Sequence, residues 1–256
     1  MKHLIVKELL NVEEILDAKI LYAVESGSRA WGFESTDSDW DVRFIYIHKK
    51  NWYLTIDEKK DSYEKILPNE IDLAGWEFKK ALKLFRKSNP PLMEWLRSPI
   101  IYLEKYTAIK KLRELASEYF NPKSCLYHYL NMAEGNYRTY LKTDDVRIKK
   151  YFYLLRPLLA CSWIEETNTM APMEFDKLVK SQVKDENVKA EIYSLLKRKK
   201  EGEELGIEPK IKLLNEFIDE KIQYFNNYLK QFNVDVLINT EKLNVILRET
   251  LDEVDR

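Results

Sequence analysis

Two aspartates interrupt a run of alternating apolar residues near the start of the chain. Asp39 and Asp41 flank Trp40 in the segment DWDVRFIYIH, which has the period-two pattern of a β-strand with apolar side chains on one face. Strands avoid Asp, because a buried carboxylate is costly to desolvate unless a positive charge meets it. The pattern therefore predicts a strand with one packed face and a second face where a cation balances two carboxylates.

The first part of the chain predicts a small sheet flanked by helices. A helix is expected before AKILYAVESGS, and this segment and EIDLAGW have the alternation of strands. The second of these strands carries Asp72 between two apolar residues. Another helix is expected over residues 76–87, and the Asn-Pro-Pro sequence at 89–91 is expected to stop it.

Beyond Pro99 the spacing of apolar residues becomes that of long amphipathic helices. These helices are expected at 107–120, 124–142, 146–166, 173–200 and 209–231. The predicted fold class is α+β, with a small mixed sheet and flanking helices followed by an all-α helical bundle. The predicted domains are residues 1–105 and 106–256, with the boundary falling somewhere between 98 and 122.

Composition limits the class of protein. The chain has 256 residues, of which 42 are basic and 43 acidic. This near-neutral balance gives no large positive field to attract a long nucleic acid, although a local basic groove remains possible. The first residues lack the apolar core of a signal peptide, and no apolar window is long enough to cross a membrane. We therefore expect a cytoplasmic protein without a membrane partner. Cys125 and Cys161 lack metal or redox spacing and are expected to be buried thiols.

The carboxylates indicate a metal site. Asp39 and Asp41 stand two residues apart on one strand and share a face, and Asp72 can project beside them from the neighbouring strand. Converging carboxylates repel unless divalent cations lie among them, and Mg²⁺ prefers such oxygen ligands together with substrate phosphates. The preceding turn at Gly27 and Ser28 offers backbone and hydroxyl donors to an anion. These parts suit phosphoryl transfer with two metal ions.

The same motifs carry a family resemblance. Gly27-Ser28, the Asp39-Trp40-Asp41 sequence and the strand around Asp72 resemble the signature of the DNA polymerase β nucleotidyltransferase superfamily. The segment GSRAWGFESTDSDWDVR is similar to a bacterial branch of predicted nucleotidyltransferases that includes RNA-repair-associated polymerase β-like proteins. A weaker likeness continues through NMAEGNYRTYL and KKYFYLLRPLLACSWI. The resemblance implies a nucleotidyltransferase fold and a catalytic domain over 1–105, with a helical substrate- or nucleotide-binding domain over 106–256.

The resemblance also implies roles for particular residues. Asp39 and Asp41 would ligate both catalytic metals, which are two Mg²⁺ ions or their Mn²⁺ substitutes. Asp72 would ligate the metal that activates the acceptor and would help to remove its proton. Ser28 and the backbone of Gly27 would hold the β and γ phosphates of a nucleoside triphosphate, for which ATP is the first choice.

Three residues near this turn have alternative interpretations. Arg29 could add positive charge for the nucleotide or could pair with a nearby carboxylate. Ser38 could cap the turn or could support the metal ligands. Asp37 is a competing carboxylate, but Ser and Asp in the sequence STDSD are typical of local backbone capping, so Asp37 is expected to belong to the turn.

A second candidate group lies in the helical half. Lys149, Tyr153 and Arg156 are spaced i, i+4 and i+7, so one helix stripe could present two cations and a phenol. The cations would then grip the triphosphate and Tyr153 would lie near the base or sugar, whereas the alternative is a solvated helix face. Lys150 is the register alternative to Lys149. Pro157 is expected either to kink this helix or to fall in its first turn.

The function predicted from these residues is Mg²⁺-dependent transfer of a nucleoside monophosphate from a nucleoside triphosphate to an acceptor hydroxyl, with release of pyrophosphate. The site is expected in a cleft between the aspartate-bearing sheet face and the helical domain. The acceptor could be an RNA 3′ end, a protein hydroxyl or a small molecule. The alternative is a non-catalytic nucleotide-binding sensor, or an antitoxin-like interaction module, that uses the same pocket without turnover.

Overall fold

The computed structural model describes residues 1–35, 38–201, 206–233 and 238–255. Asp37, which we expected to belong to the turn, lies outside the described residues. Contacts divide the chain into two units. The first comprises residues 1–30, 38–119 and 238–255, and the second comprises residues 31–35, 120–201 and 206–233.

The helices and strands follow one another in chain order. The elements up to residue 119 are α1 (Lys2–Leu16), β1 (Ala18–Glu25), α2 (Gly27–Trp31), β2 (Trp40–His48), α3 (Lys50–Tyr53), β3 (Ser62–Leu67), β4 (Ile71–Glu77), α4 (Phe78–Arg86), α5 (Pro90–Trp95), β5 (Ile101–Glu104) and α6 (Ala108–Tyr119). The later elements are α7 (Pro122–Tyr140), β6 (Asp145–Arg147), a 3₁₀ turn (Ile148–Lys150), α8 (Tyr151–Thr167), α9 (Phe175–Gln182), α10 (Glu186–Lys200), β7 (Ile207–Pro209), α11 (Lys212–Gln231) and α12 (Thr240–Val254).

The first unit contains a five-stranded mixed sheet with the order β3-β4-β2-β1-β5. The central pair, β2 and β4, is parallel, and the other neighbours are antiparallel. The predicted α+β fold class is confirmed. The three strands expected from sequence are β1, β2 and β4, and the two edge strands, β3 and β5, were not expected.

One face of this sheet carries the core of the first unit. Alternating residues of β2 and β4 point into it and meet the apolar stripe of α1. The buried members of this cluster include Ile5, Leu9, Val12, Ile20, Val42, Phe44, Tyr46, Ile71 and Leu73. Each such side chain contributes roughly 1.5 to 3 kcal/mol on burial. This packing fixes the register of the strands and turns the intervening residues, among them Asp41 and Asp72, to the opposite face.

Several helix boundaries differ from the prediction: the helices expected over 146–166 and 209–231 begin at Tyr151 and Lys212, after short strands. The Asn-Pro-Pro sequence at 89–91 does not simply end a helix: the Asn89 side chain accepts a hydrogen bond from the Leu92 N–H at 3.2 Å, and Pro90 is the first residue of α5. Proline suits this position because the first N–H groups of a helix have no partner within it. The single helix predicted over 173–200 is two helices, and Asp185 caps the second.

The division into units also differs from the expected domains 1–105 and 106–256. Helix α12 packs on α4 and α6, and α6 packs on β1, so both helices belong to the first unit. Lys242 forms an ion pair with Glu118 at 2.7 Å, and Lys111 forms one with Glu249 at 2.9 Å. Helical periodicity shows that a helix forms, but it does not show which distant segment covers its apolar face.

The second unit is helical. Helices α7 and α8 pack together, and α9 and α11 cover them. Both cysteines, Cys125 and Cys161, are buried thiols, as expected. In the segment that follows α2, the ring of Phe33 stacks on Phe152 at 5.1 Å between centroids and meets Phe175 edge-on. None of the described helices combines the length and apolarity needed to cross a bilayer.

Glu77 gives a first test of the packing of the sheet. Its buried carboxylate caps α4 by accepting hydrogen bonds from the N–H groups of Lys79 and Lys80 at 2.8 and 3.3 Å, and it also accepts one from the Tyr53 hydroxyl. We expect Glu77→Ala to lower the free energy of unfolding, measured in urea, by about 2 to 3 kcal/mol, because three donors lose their acceptor.

A matched substitution separates the buried cap from an ordinary one. The exposed Asp185 caps α10 by accepting hydrogen bonds from the backbone N–H groups of Asn187 and Val188. Asp185→Ala is expected to cost about 1 kcal/mol. If the two variants lost the same stability, the bond from the Tyr53 hydroxyl and the burial of Glu77 would contribute nothing.

Candidate active site

The parallel pairing of β2 and β4 places two carboxylates side by side. In the register of this pair Asp41 lies opposite Asp72, and Val42 lies opposite Leu73. Because Val42 and Leu73 are in the core, Asp41 and Asp72 project together from the other face. The predicted convergence of these two aspartates is therefore present in the structure.

A guanidinium lies between the two carboxylates. The Arg43 Nη2 group donates to Asp41 Oδ1 and to Asp72 Oδ2, each at 2.9 Å. Its Nη1 group donates to the carbonyl oxygens of Asp72 at 3.0 Å and of Val42 at 3.2 Å. Arg43 was not among the residues singled out from sequence, although it stands two positions after Asp41 and so shares its face of the strand. Arg43 thus places a positive charge on this face, and the predicted Mg²⁺ stays a prediction.

The electrostatics of Asp41 reflect this crowding. Burial is the main factor that raises the pKa of Asp41 above its ordinary value, and the nearby charges of Asp72 and Asp39 act in the same direction. The guanidinium of Arg43 opposes them. The positive charge of Arg43 thus favours the charged form of Asp41 at this position.

Asp39 lies just before β2, near enough for its charge to act on Asp41. It is exposed and precedes the first residue of β2, so it does not occupy the strand position that the sequence predicted. Across the described parts of the chain, no three His, Cys, Asp or Glu side chains are arranged to hold a metal ion. The donor chemistry still fits Mg²⁺, because carboxylate oxygens are its preferred ligands and two of them already converge on one cation.

Gly27 lies directly against the carboxylate of Asp41. Its φ is +63°, in the left-handed region, and a Cβ at this position would stand 2.0 Å from Asp41 Oδ2. The neighbouring Ser26 N–H donates to the Asp41 carbonyl at 2.8 Å. A residue without a side chain is therefore required here for steric as well as backbone reasons. Ser28 follows as the second residue of α2 and is half-buried.

A buried acid supports Asp41 from the end of β1. Glu25 is fully buried, and its Oε1 accepts the Asp41 N–H at 2.8 Å while its Oε2 accepts the Tyr102 hydroxyl. The Ser98 hydroxyl donates to the Glu25 carbonyl at 2.6 Å. Burial raises the pKa of Glu25 to about 7. Sequence analysis missed Glu25, for which the available signal was an acid that ends an apolar strand.

Arg29 contacts the backbone before β2 and the ring of Trp40, and its contribution to nucleotide binding stays a prediction. Its Nη2 group donates to the Ser38 carbonyl at 2.6 Å, its Nε group donates to the Asp39 carbonyl at 3.2 Å, and its guanidinium lies 3.7 Å from the centre of the Trp40 ring. Ser38 itself is buried. Arg29 thus fixes the backbone that leads into β2, just before Asp41.

The three residues proposed from the helical half belong to the second unit. Lys149 is exposed and lies in the 3₁₀ turn before α8, so it is not on the helix that carries Tyr153 and Arg156. Tyr153 is 44% exposed, whereas Arg156 is 2% exposed and its guanidinium lies 4.6 Å from the Trp31 ring. The three side chains therefore do not form one exposed stripe. Their contribution to nucleotide binding stays a prediction.

Two related expectations concern the same helix. The ammonium group of Lys150, the register alternative, lies 4.3 Å from the ring of Tyr140 and 4.7 Å from that of Tyr153. Such contacts are cation–π interactions. Pro157 lies inside α8, past its first turn, because the helix begins at Tyr151.

One family model matches almost the whole chain. The family described as RNA repair pathway DNA polymerase beta family, RlaP, matches residues 1–249. The chain is 47% identical over 254 residues to the uncharacterized protein YcgL of Bacillus subtilis (strain 168), covering 99% of this chain and 98% of that protein. A crystal structure of a nucleotidyltransferase-like protein from Exiguobacterium sibiricum 255-15 shares 14% identity, covering 93% of this chain and 75% of that one, with a TM-score of 0.32. A TM-score at this level supports no detailed comparison.

The close approach of Gly27 to Asp41 gives a second test. We expect Gly27→Ala to lower the free energy of unfolding by about 2 to 3 kcal/mol, because the added methyl group meets Asp41 and the positive φ adds strain. The measurement is urea denaturation followed by circular dichroism.

Substitutions at two other glycines separate the clash with Asp41 from the backbone strain at positive φ. Gly32 also has a positive φ, but a Cβ there would meet none of the described atoms within 4 Å, so Gly32→Ala should cost only the strain of about 1 kcal/mol. Gly135 is inside α7 with open space around it, and Gly135→Ala should stabilise the chain slightly. A loss for Gly27→Ala no larger than that for Gly32→Ala would contradict the steric role of Asp41.

Proposed function

Because the chain belongs to the RNA repair pathway DNA polymerase beta family, RlaP, we propose that it transfers a nucleoside monophosphate from a nucleoside triphosphate to an acceptor hydroxyl. The observation that carries this proposal is the convergence of Asp41 and Asp72 on one cation. In the reaction the acceptor oxygen forms a bond to the α phosphorus, the bond between the α phosphorus and the bridging oxygen breaks, and pyrophosphate leaves.

The carboxylates would bind the metal ions. Asp41 and Asp72, with Asp39 contributing from the segment before β2, would hold two Mg²⁺ ions, with Mn²⁺ as a substitute. When bound, these ions supply the charge that neutralises the attacking and leaving oxygens. Asp72 would accept the proton of the acceptor hydroxyl as the new bond forms. Glu25 would position Asp41 through its hydrogen bond to the Asp41 N–H.

The turn before α2 would bind the triphosphate. Gly27 would present its backbone and Ser28 its hydroxyl to the β and γ phosphates, and the contact of Gly27 with Asp41 supports this role, because it brings the turn next to the carboxylates. Arg29 would keep the segment from Ser38 to Trp40 in place. ATP is our first choice of nucleotide.

An RNA end is our first choice of acceptor. The description of the family, which concerns RNA repair, favours an RNA hydroxyl over a protein or small-molecule hydroxyl. The formal net charge of −1 gives no general attraction for nucleic acid, so such an RNA would have to be held by local contacts. Comparing RNA, protein and small-molecule acceptors in one assay would decide between the classes.

The aspartates provide the third test. We expect Asp41→Asn and Asp72→Asn each to lower the rate of Mg²⁺-dependent pyrophosphate release by about 10³-fold or more, because each removes a negative ligand without changing its size. Circular dichroism should show an unchanged fold. Asp17→Asn is the control, since the Asp17 side chain is 82% exposed and pairs only with Lys49 among the described residues.

Two results would defeat the proposal. If Asp41→Asn released pyrophosphate at the wild-type rate, the carboxylate of Asp41 would take no part in the reaction. Metal-dependent binding of nucleoside triphosphates without pyrophosphate release, tried with RNA, protein and small-molecule acceptors, would instead support the non-catalytic sensor.

A further inference from the structure

We infer that Arg43 competes with the divalent metal for Asp41 and Asp72, so that a metal ion binds tightly only after the guanidinium has left the two carboxylates. This inference rests on the proposed function, because it concerns the metal site which that function needs. It adds a regulatory role for a residue of the site: Arg43 makes metal binding depend on what else is bound.

The first step of the argument is steric. One nitrogen atom, Arg43 Nη2, lies 2.9 Å from an oxygen of Asp41 and 2.9 Å from an oxygen of Asp72. A magnesium ion approaches carboxylate oxygens to about 2.0 to 2.1 Å. An ion bridging these same two oxygens would need the space that Nη2 occupies. The guanidinium and the ion therefore exclude each other at this position.

The second step concerns charge. The side chains of Arg43, Asp41 and Asp72 are 18%, 28% and 39% exposed, so this is a partly buried cluster rather than a surface ion pair. Ion pairs in such surroundings are screened less than exposed ones. Removing the guanidinium from the two facing carboxylates breaks its ion pairs with both of them. The free energy of these lost ion pairs is subtracted from the free energy that a divalent ion gains on binding the carboxylates.

The third step is the backbone anchoring of the guanidinium. The Arg43 Nη1 group donates to the carbonyl oxygens of Val42 and Asp72, so the group is held at four acceptors and is not merely drawn by charge. A ligand that offers other acceptors to Arg43 lowers the cost of its release. A triphosphate is such a ligand, because guanidinium groups bind phosphate oxygens at two points. Nucleotide and metal then favour each other's binding.

The experiment measures Mn²⁺ binding to the protein without nucleotide, from the electron paramagnetic resonance signal of free Mn²⁺. We expect Arg43→Gln to bind Mn²⁺ about tenfold more tightly than the wild type, or better, because the competitor has lost its charge. Arg248→Gln is the matched control: it removes an arginine from an exposed pair with Glu241 in α12 and should bind as the wild type does. Adding Asp41→Asn to Arg43→Gln should abolish the gain.

A second measurement tests the coupling. A non-hydrolysable ATP analogue should raise the Mn²⁺ affinity of the wild type by more than it raises that of Arg43→Gln, since the variant has no guanidinium to release. Thermal unfolding should agree: Mn²⁺ should raise the midpoint of Arg43→Gln by more than that of the wild type. If Arg43→Gln does not fold, Arg43→Lys serves instead, because an ammonium cannot span all four acceptors and should give a smaller gain of the same sign.

The outcomes separate this inference from the proposed function. If the wild type binds Mn²⁺ and releases pyrophosphate but Arg43→Gln binds Mn²⁺ no more tightly, the competition is refuted and the proposed function stands. If neither protein binds Mn²⁺, with or without the nucleotide analogue, both the competition and the proposed function are refuted. A tenfold gain in a variant of a protein that releases no pyrophosphate would support the competition and refute the catalysis.

Discussion

The parallel pairing of β2 with β4 is the constraint on which the site depends. It sets Asp41 opposite Asp72, and the core on the other face prevents either strand from slipping by one residue, since that would turn Val42 and Leu73 outward. Two like charges are thus held together by apolar packing. The guanidinium of Arg43 donates to both carboxylates and so offsets the repulsion between them.

The neighbouring strand supplies a second set of constraints on the same aspartate. Glu25, at the end of β1, holds the N–H of Asp41, and Gly27 leaves room for its carboxylate. The hydroxyls of Tyr102 and Ser98 in turn hold the side chain and the carbonyl of Glu25. The position of Asp41 therefore follows from β1, β4 and the turn before α2 together, and a change in any of these would shift its carboxylate.

The alternation of DWDVRFIYIH and EIDLAGW was enough to predict β2, β4 and the meeting of Asp41 with Asp72. The two aspartates also predicted a divalent ion there, which stays a prediction, whereas Arg43 in the same strand was not singled out from sequence. The same alternation placed Asp39 within the strand, whereas β2 begins at Trp40. An alternating pattern does not show at which residue a strand begins. Helix α12 belongs to the first unit through contacts with α4 and α6 that no local pattern in the sequence reports.

The guanidinium of Arg43 and the proposed metal ion would affect this site differently. An arginine belongs to the chain and preorganises the carboxylates in the absence of any ligand, so little rearrangement of the strands is needed when a metal ion enters. In the competition we infer, the same arginine would have to be displaced, which would lower the affinity for a metal alone. A site built from carboxylates without this guanidinium would bind metal more readily but would hold two adjacent negative charges when empty. In this proposal Arg43 stabilises the empty site and lowers its affinity for a metal ion, and a phosphate-bearing substrate that binds Arg43 would restore that affinity.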